Sequence, residues 1–209
     1  MDLPFSESAF LDLFGAYNQD LWAAVIAVWI ITIAVVIRTW LKPRNDAAVV
    51  ILLAAHWLWS GVVYHWIYFR TINSAAAIFA GLFVVQGALF AWAGLAHQGR
   101  FTAPRSLRGV VGLGLVGYGL IYPLMGIALG LQYPRLPLFA VPCPTALITA
   151  GLLLMSSGLP RVVNVVPILW TIIGSSAAIV LGIRADLALV AAGALLLLDT
   201  LAPRALGSR

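Results

Sequence analysis

The sequence predicts an all-α fold, a polytopic bundle of membrane-spanning helices, and three observations lead there. Hydrophobic residues make up 63% of the 209 positions and charged residues 9%, far below the roughly 25% that a soluble domain needs to cover its surface. Mean hydropathy is +1.03. The apolar residues also fall into runs long enough to cross a bilayer as helix, which takes about 20 residues. The same figures exclude a disordered chain, a collagen and a disulfide scaffold. The single cysteine, Cys143, excludes a multi-cysteine metal or iron–sulfur site.

Residues 4–17 open the chain as a short amphipathic helix. Phe5, Phe10, Leu11, Phe14 and Tyr17 recur at helical spacing among Ser6, Glu7 and Asp12, which suits either an interfacial helix on the membrane surface or a packing cap over the bundle. Seven spans follow, at about 21–37, 47–69, 74–96, 109–129, 138–158, 162–182 and 185–202. The seventh is the shortest, and Asp186 and Asp199 bracket it as carboxylates expected at the two interfaces. Together these make a single transmembrane domain over 1–209, with the interfacial helix in 1–19 and the seven-helix bundle in 20–203. The flank before the first span carries Asp2, Glu7, Asp12 and Asp20 and no basic residue, the inverse of a signal-peptide flank.

Cation placement orients the bundle. With the N-terminus outside and the C-terminus cytoplasmic, Arg38, Lys42, Arg44, Arg100, Arg105, Arg108, Arg161, Arg204 and Arg209 are cytoplasmic, against Arg70, Arg135 and Arg184 outside. The net charge of +5 does not indicate nucleic acid, because one lysine and scattered arginines form no basic face. Short loops leave no room for a soluble catalytic domain. Small residues, Gly126 with Gly130 and Gly174 with Ala178 and Gly182, are placed to let helices approach closely in lipid. Trp59-Ser60, Arg70, Asn73 and Gly81 are spaced much as Trp170-Thr171, Arg184, Asp186 and Gly193. That spacing suits a three-plus-one-plus-three parallel repeat of the kind some transporters use.

Polar groups within a membrane are functional candidates by default. Pro142-Cys143-Pro144-Thr145 begins the fifth span, where two prolines remove backbone donors and leave carbonyls free beside a thiol and a hydroxyl. The competing reading is a structural helix start with a packed thiol. Tyr64-His65-Trp66 ends the second span on the same, external side. A vestibule lined by Tyr64, His65, Asn73, Cys143 and Asp186 is therefore expected to be possible, set against an ordinary aromatic belt of Tyr64, Trp66 and Tyr68. If any metal binds, Cys143 and His65 are its ligands. His56 lies near mid-span, nine residues before His65 and on the opposite helix face. Its expected partners are Ser60, Gln86 and Tyr118, as an intramembrane polar network.

No cofactor is expected. A retinal Schiff base needs a lysine in the bundle, and the only one, Lys42, is in a loop. A bis-histidine haem fails because His97 lies at a helix end, and the metalloprotease H-E-x-x-H pair is absent. Gly-rich 109–119 lies within a span, and Tyr122-Pro123 predicts a kink.

Several stretches together resemble an uncharacterised family of bacterial polytopic integral membrane proteins. They are Leu3-Pro4-Phe5 with Phe10, Phe14, Tyr17-Asn18 and Trp22; Trp57 through Trp66; Ile72-Asn73 with Ala75-Ala76; Gln86-Gly87; Tyr122-Pro123; Pro142 through Thr145; and Leu169-Trp170 with 174–177. Ser74 stands where that pattern has proline. The resemblance implies a multi-pass protein of the bacterial cytoplasmic membrane and names no reaction or substrate.

Three functions stay open. The first is a transporter or permease for a small solute or ion with an external-side site, supported by the broken start of the fifth span. The second is a non-transporting subunit that docks to a larger membrane complex or forms a homo-oligomer within the lipid bilayer. The third is a membrane-embedded thiol enzyme using Cys143 and His65.

Overall fold

A computed structural model describes residues 4–41, 46–96, 99–101 and 105–202. Asp2, Leu3, Lys42, Arg44, His97, Arg204 and Arg209, used in the reasoning above, lie outside the described residues. The described chain is helical almost throughout, as its composition requires.

Helix α1 runs unbroken over Glu7–Leu41, 35 residues. The separate interfacial helix expected over 4–17 is therefore corrected: it is the first part of α1. No proline interrupts this stretch, so nothing stops the hydrogen-bond ladder. At 1.5 Å per residue the helix is about 52 Å long, well beyond the roughly 30 Å hydrocarbon core. Its first turns have the aromatic face that packs as a cap: Phe14 stacks on Tyr64 at 5.6 Å and Phe10 meets Phe69 at 5.8 Å.

Helix α2 covers Asp46–Trp59 and continues as a π-helix over Ser60–Tyr68 and a 3₁₀ turn over Phe69–Thr71. Helix α3 is Ala76–Ala96. Helices α4 (Leu107–Leu120) and α5 (Tyr122–Ala128) meet at a bend of 67°. The kink expected at Pro123 is displaced to Ile121, because proline fits the first turn of a new helix. Helices α6 (Pro142–Leu154), α7 (Val165–Leu181) and α8 (Ala188–Leu201) complete the bundle. Strands β1 (Arg100–Phe101) and β2 (Ser156–Ser157) pair antiparallel and tie two loops together at one end.

Four helical segments are long and apolar enough to cross a membrane: Glu7–Thr39, Ala47–Thr71, Ala76–Ala96 and Arg161–Leu181. The bent α4–α5 pair makes up to five. The expected fifth and seventh spans are shorter than read from sequence, at 13 and 14 residues, or about 20 Å of helix each. For α6 the reason lies in its surroundings. Every residue but Cys143 is buried, so protein rather than lipid sheathes it and its length need not match the bilayer.

Residues 129–141 are largely irregular, yet Leu136, Phe139, Ala140 and Val141 are fully buried. Non-helical backbone inside a membrane bundle needs protein partners, and two side chains supply them. Asn18 Nδ2 donates to the carbonyls of Pro134 and Leu136 at 2.6 and 2.8 Å, and Ser60 Oγ donates to that of Ala140 at 3.1 Å.

The closest helix contact is α4 on α6. A Cβ on Gly112 would lie 2.6 Å from the Gly151 carbonyl oxygen, and one on Gly119 would lie 2.6 Å from Ile148. The expected Gly126–Gly130 packing pair is not a helix seam: Gly130 has φ +102° in the turn after α5, with open space where a Cβ would stand. Gly182, at φ +68°, caps α7 rather than extending a ladder. Gly174 sits in close contact, against Leu189, and Ala178 is buried.

Candidate functional site

A cavity of about 260 Å³ opens at the end of the bundle where the π-helix, the start of α6 and the α7–α8 turn converge. Its first wall comes from the π-helix. Widening to i→i+5 bonding turns two successive residues inward, so that Tyr64 and His65 are 3% and 0% exposed. The His65 ring sits among aromatic rings, 4.6 Å from Phe83, 5.1 Å from Trp170 and 5.7 Å from Phe79. Both its nitrogens are buried without a hydrogen-bond partner. Buried polar atoms normally find partners, so an imidazole with both nitrogens unpartnered on a cavity wall marks a place for a ligand or water.

The second wall is the irregular chain leading into α6. Pro142 and Cys143 line the cavity beside Pro137 and Val141. The Cys143 thiol interacts with both the Asp186 carboxylate and the Trp170 indole. Gly174 lies opposite, and a Cβ there would stand 3.9 Å from Cys143 Sγ and 3.5 Å from Trp170 Nε1. Phe5, Phe10 and Phe14 close the third side.

Asp186 forms the floor. It sits in the 3₁₀ turn Arg184–Leu187, between α7 and α8 and outside both, and it is 6% exposed. It is thus buried within the protein and not solvated. Tyr118 Oη holds the turn by donating to the Ala185 carbonyl at 2.9 Å, and Tyr122 Oη donates to Asp186 Oδ1. Both tyrosines belong to the bent α4–α5 pair, so the bend brings the carboxylate its donors. The Cys143 thiol is the second hydrogen-bonding neighbour of the carboxyl.

Residues 7–205 match the family described as a family of unknown function, DUF6064. The chain belongs to DUF6064. No curated protein and no solved structure matches it.

In this DUF6064 chain, six of the residues singled out from sequence meet at one cavity: Tyr64, His65, Asn73, Pro142, Cys143 and Asp186. Asn73 also starts α3, its Oδ1 accepting from the Ala75 N–H at 3.1 Å. Pro144 and Thr145 do not reach the cavity. Thr145 Oγ1 lies 3.3 Å from Ser60 Oγ, and the Pro144 carbonyl faces Gly119 of α4. Among the described residues no three His, Cys, Asp or Glu side chains gather as a metal site, so Cys143 and His65 have no third such ligand.

The expected network of His56, Ser60, Gln86 and Tyr118 is corrected, since each bonds elsewhere. His56 Nε2 pairs with Thr32 Oγ1 on α1 at 2.8 Å, Gln86 Nε2 donates to the Val163 carbonyl at 2.8 Å, and Ser60 and Tyr118 serve Ala140 and Ala185. The four lie on three different spans, and each faces a different neighbouring element, so similar depth along the spans does not bring them together. Sequence reasoning missed Phe69, Phe79 and Trp170 as cavity walls. Nothing in sequence separates them from ordinary core or belt aromatics.

Proposed function

We propose that the chain is a multi-pass carrier of a small solute or ion in the bacterial cytoplasmic membrane, binding its cargo in this cavity near the external face. The observation that carries the reading is the buried His65 imidazole, both of its nitrogens without a partner, on the wall of an open-ended cavity. Two features support it. Irregular backbone leading into a helix is how carriers build polar sites at membrane depth, and a π-helical segment interrupts α2 where it lines the same cavity. The seven-crossing, N-outside topology belongs to the proposal, with α6 as a sheathed crossing and α8 completed by its flanking turn. The antiparallel pairing of 100–101 with 156–157 supports it, because it needs both loops on one side.

Alternating access predicts that Cys143, the single cysteine, is reached from both faces. A membrane-impermeant maleimide at pH 8.5 is expected to label the protein slowly in intact cells and in inside-out vesicles, and to spare Cys143→Ser in both. Labelling from one face alone would indicate a one-sided receptor and overturn transport. No labelling from either would overturn the solvent-reachable cavity.

A further inference from the structure

The cavity holds a carboxylate with no opposing cation among the described residues. Asp186 is hydrogen-bonded only by neutral groups, the Tyr122 hydroxyl and the Cys143 thiol. The ion pairs among the described residues lie elsewhere, at Arg108–Asp199 and Arg135–Asp12. Arg184, two residues before Asp186 in the same turn, is exposed. A buried charge without a counter-charge is costly, and a bound cation removes that cost.

The walls match the same charge. Phe10, Phe14, Tyr64, Phe79 and Trp170 contribute aromatic rings to the cavity, and ring faces attract cations most strongly where water is excluded. An anion would meet like charge at Asp186, and among the described residues no lysine or arginine lines the cavity. A bare metal ion needs several polar ligands, and no cluster of three His, Cys, Asp or Glu is present among the described residues. The space of about 260 Å³ suits an organic body instead. His65 is free to bond a second polar group on it.

We propose that the ligand is a small organic ammonium ion, its charged nitrogen against Asp186 and its carbon skeleton against the aromatic walls. This rests on the solute-site reading above and names the class of solute. Three isosteric probes test it: benzylamine, benzyl alcohol and benzoate, titrated at pH 8 into the purified full chain and followed by tryptophan fluorescence. Benzylamine is expected to bind saturably and at least tenfold more tightly than benzyl alcohol, with benzoate weakest. Asp186→Asn is expected to abolish the preference for the amine. Phe10→Leu, at the half-buried rim, is the second variant, expected to weaken benzylamine several-fold and benzyl alcohol less. Equal binding of the three probes would overturn the ammonium assignment. No saturable binding of any probe, with Cys143 still labelled, would overturn it too while leaving the solute cavity standing. Unlabelled Cys143 would take down both.

Discussion

Gly151→Leu is expected to abolish recovery of folded protein. The α4–α6 seam is backbone on backbone: Gly112 and Gly151 present their carbonyls to each other, and a Cβ on Gly151 would strike Gly112 O, with Val116 Cγ2 at 2.8 Å and Val116 N at 2.9 Å. A flexible side chain could move aside, but a helix backbone cannot without separating the two helices. Overpacking of this kind costs roughly 3 kcal/mol or more, and α6 is the buried pillar on which the other helices rest. The control is Gly117→Leu on α4, whose Cβ position has nothing within 4 Å; it is expected to change stability by less than about 0.5 kcal/mol. Yield of monodisperse protein in detergent and the thermal midpoint check both. Equal behaviour of the two variants would show that α4 and α6 are not in this contact.

Trp57→Ala should be the most destabilising change among single core truncations. Trp57 is fully buried, its ring 4.4 Å from Phe83 on α3, and its Nε1 donates to Thr149 Oγ1 on α6 at 2.9 Å. It thus joins three helices. Removing the ring leaves a cavity worth about 3–5 kcal/mol. Trp57→Phe keeps the ring contact and loses the hydrogen bond, leaving the Thr149 hydroxyl unpaired at a cost of about 1–3 kcal/mol. Adding Thr149→Val to Trp57→Phe should recover part of that loss, because the stranded hydroxyl goes with it. A strictly additive double variant would show that the indole and the hydroxyl do not interact.

Asp186 connects the two themes of stability and function. A buried carboxylate without a cation lowers the stability of the folded state at neutral pH, and residues that do so are concentrated where a protein gives up stability for activity. Asp186→Asn is therefore expected both to raise the thermal midpoint of the chain at neutral pH and to remove ammonium recognition. A single substitution that moves the two readouts in opposite directions separates a functional carboxylate from a structural one.

Much of the site was legible because polar residues are rare here. With charged residues at 9%, each polar side chain at a span end drew attention, and Tyr64, His65, Asn73, Cys143 and Asp186 fell on one side by topology alone. The aromatic walls were not legible. Phe79 and Trp170 have the same hydrophobic signature as Phe90 or Trp92, and only the packing of α3 against α7 makes them line a cavity. Partner choice was equally hidden: His56 was matched with Ser60 one turn away, yet Thr32 on α1 reaches it. Periodicity describes one helix at a time and carries no information on which neighbour faces it.

The sequence by itself determined the class of protein, the all-helical fold and the approximate helix positions, because burying backbone polar groups in an apolar setting leaves few alternatives to helix. Tertiary structure alone decided the lengths and joints. Whether α6 needs to span the bilayer depends on what surrounds it, and whether residues 4–17 form their own helix depends on where Phe14 and Tyr17 find rings to pack on. Asp186 became a buried floor rather than a solvated charge because the bent α4–α5 pair delivers Tyr118 and Tyr122 to its turn. Those outcomes rest on contacts between residues far apart in the chain, which no local pattern encodes.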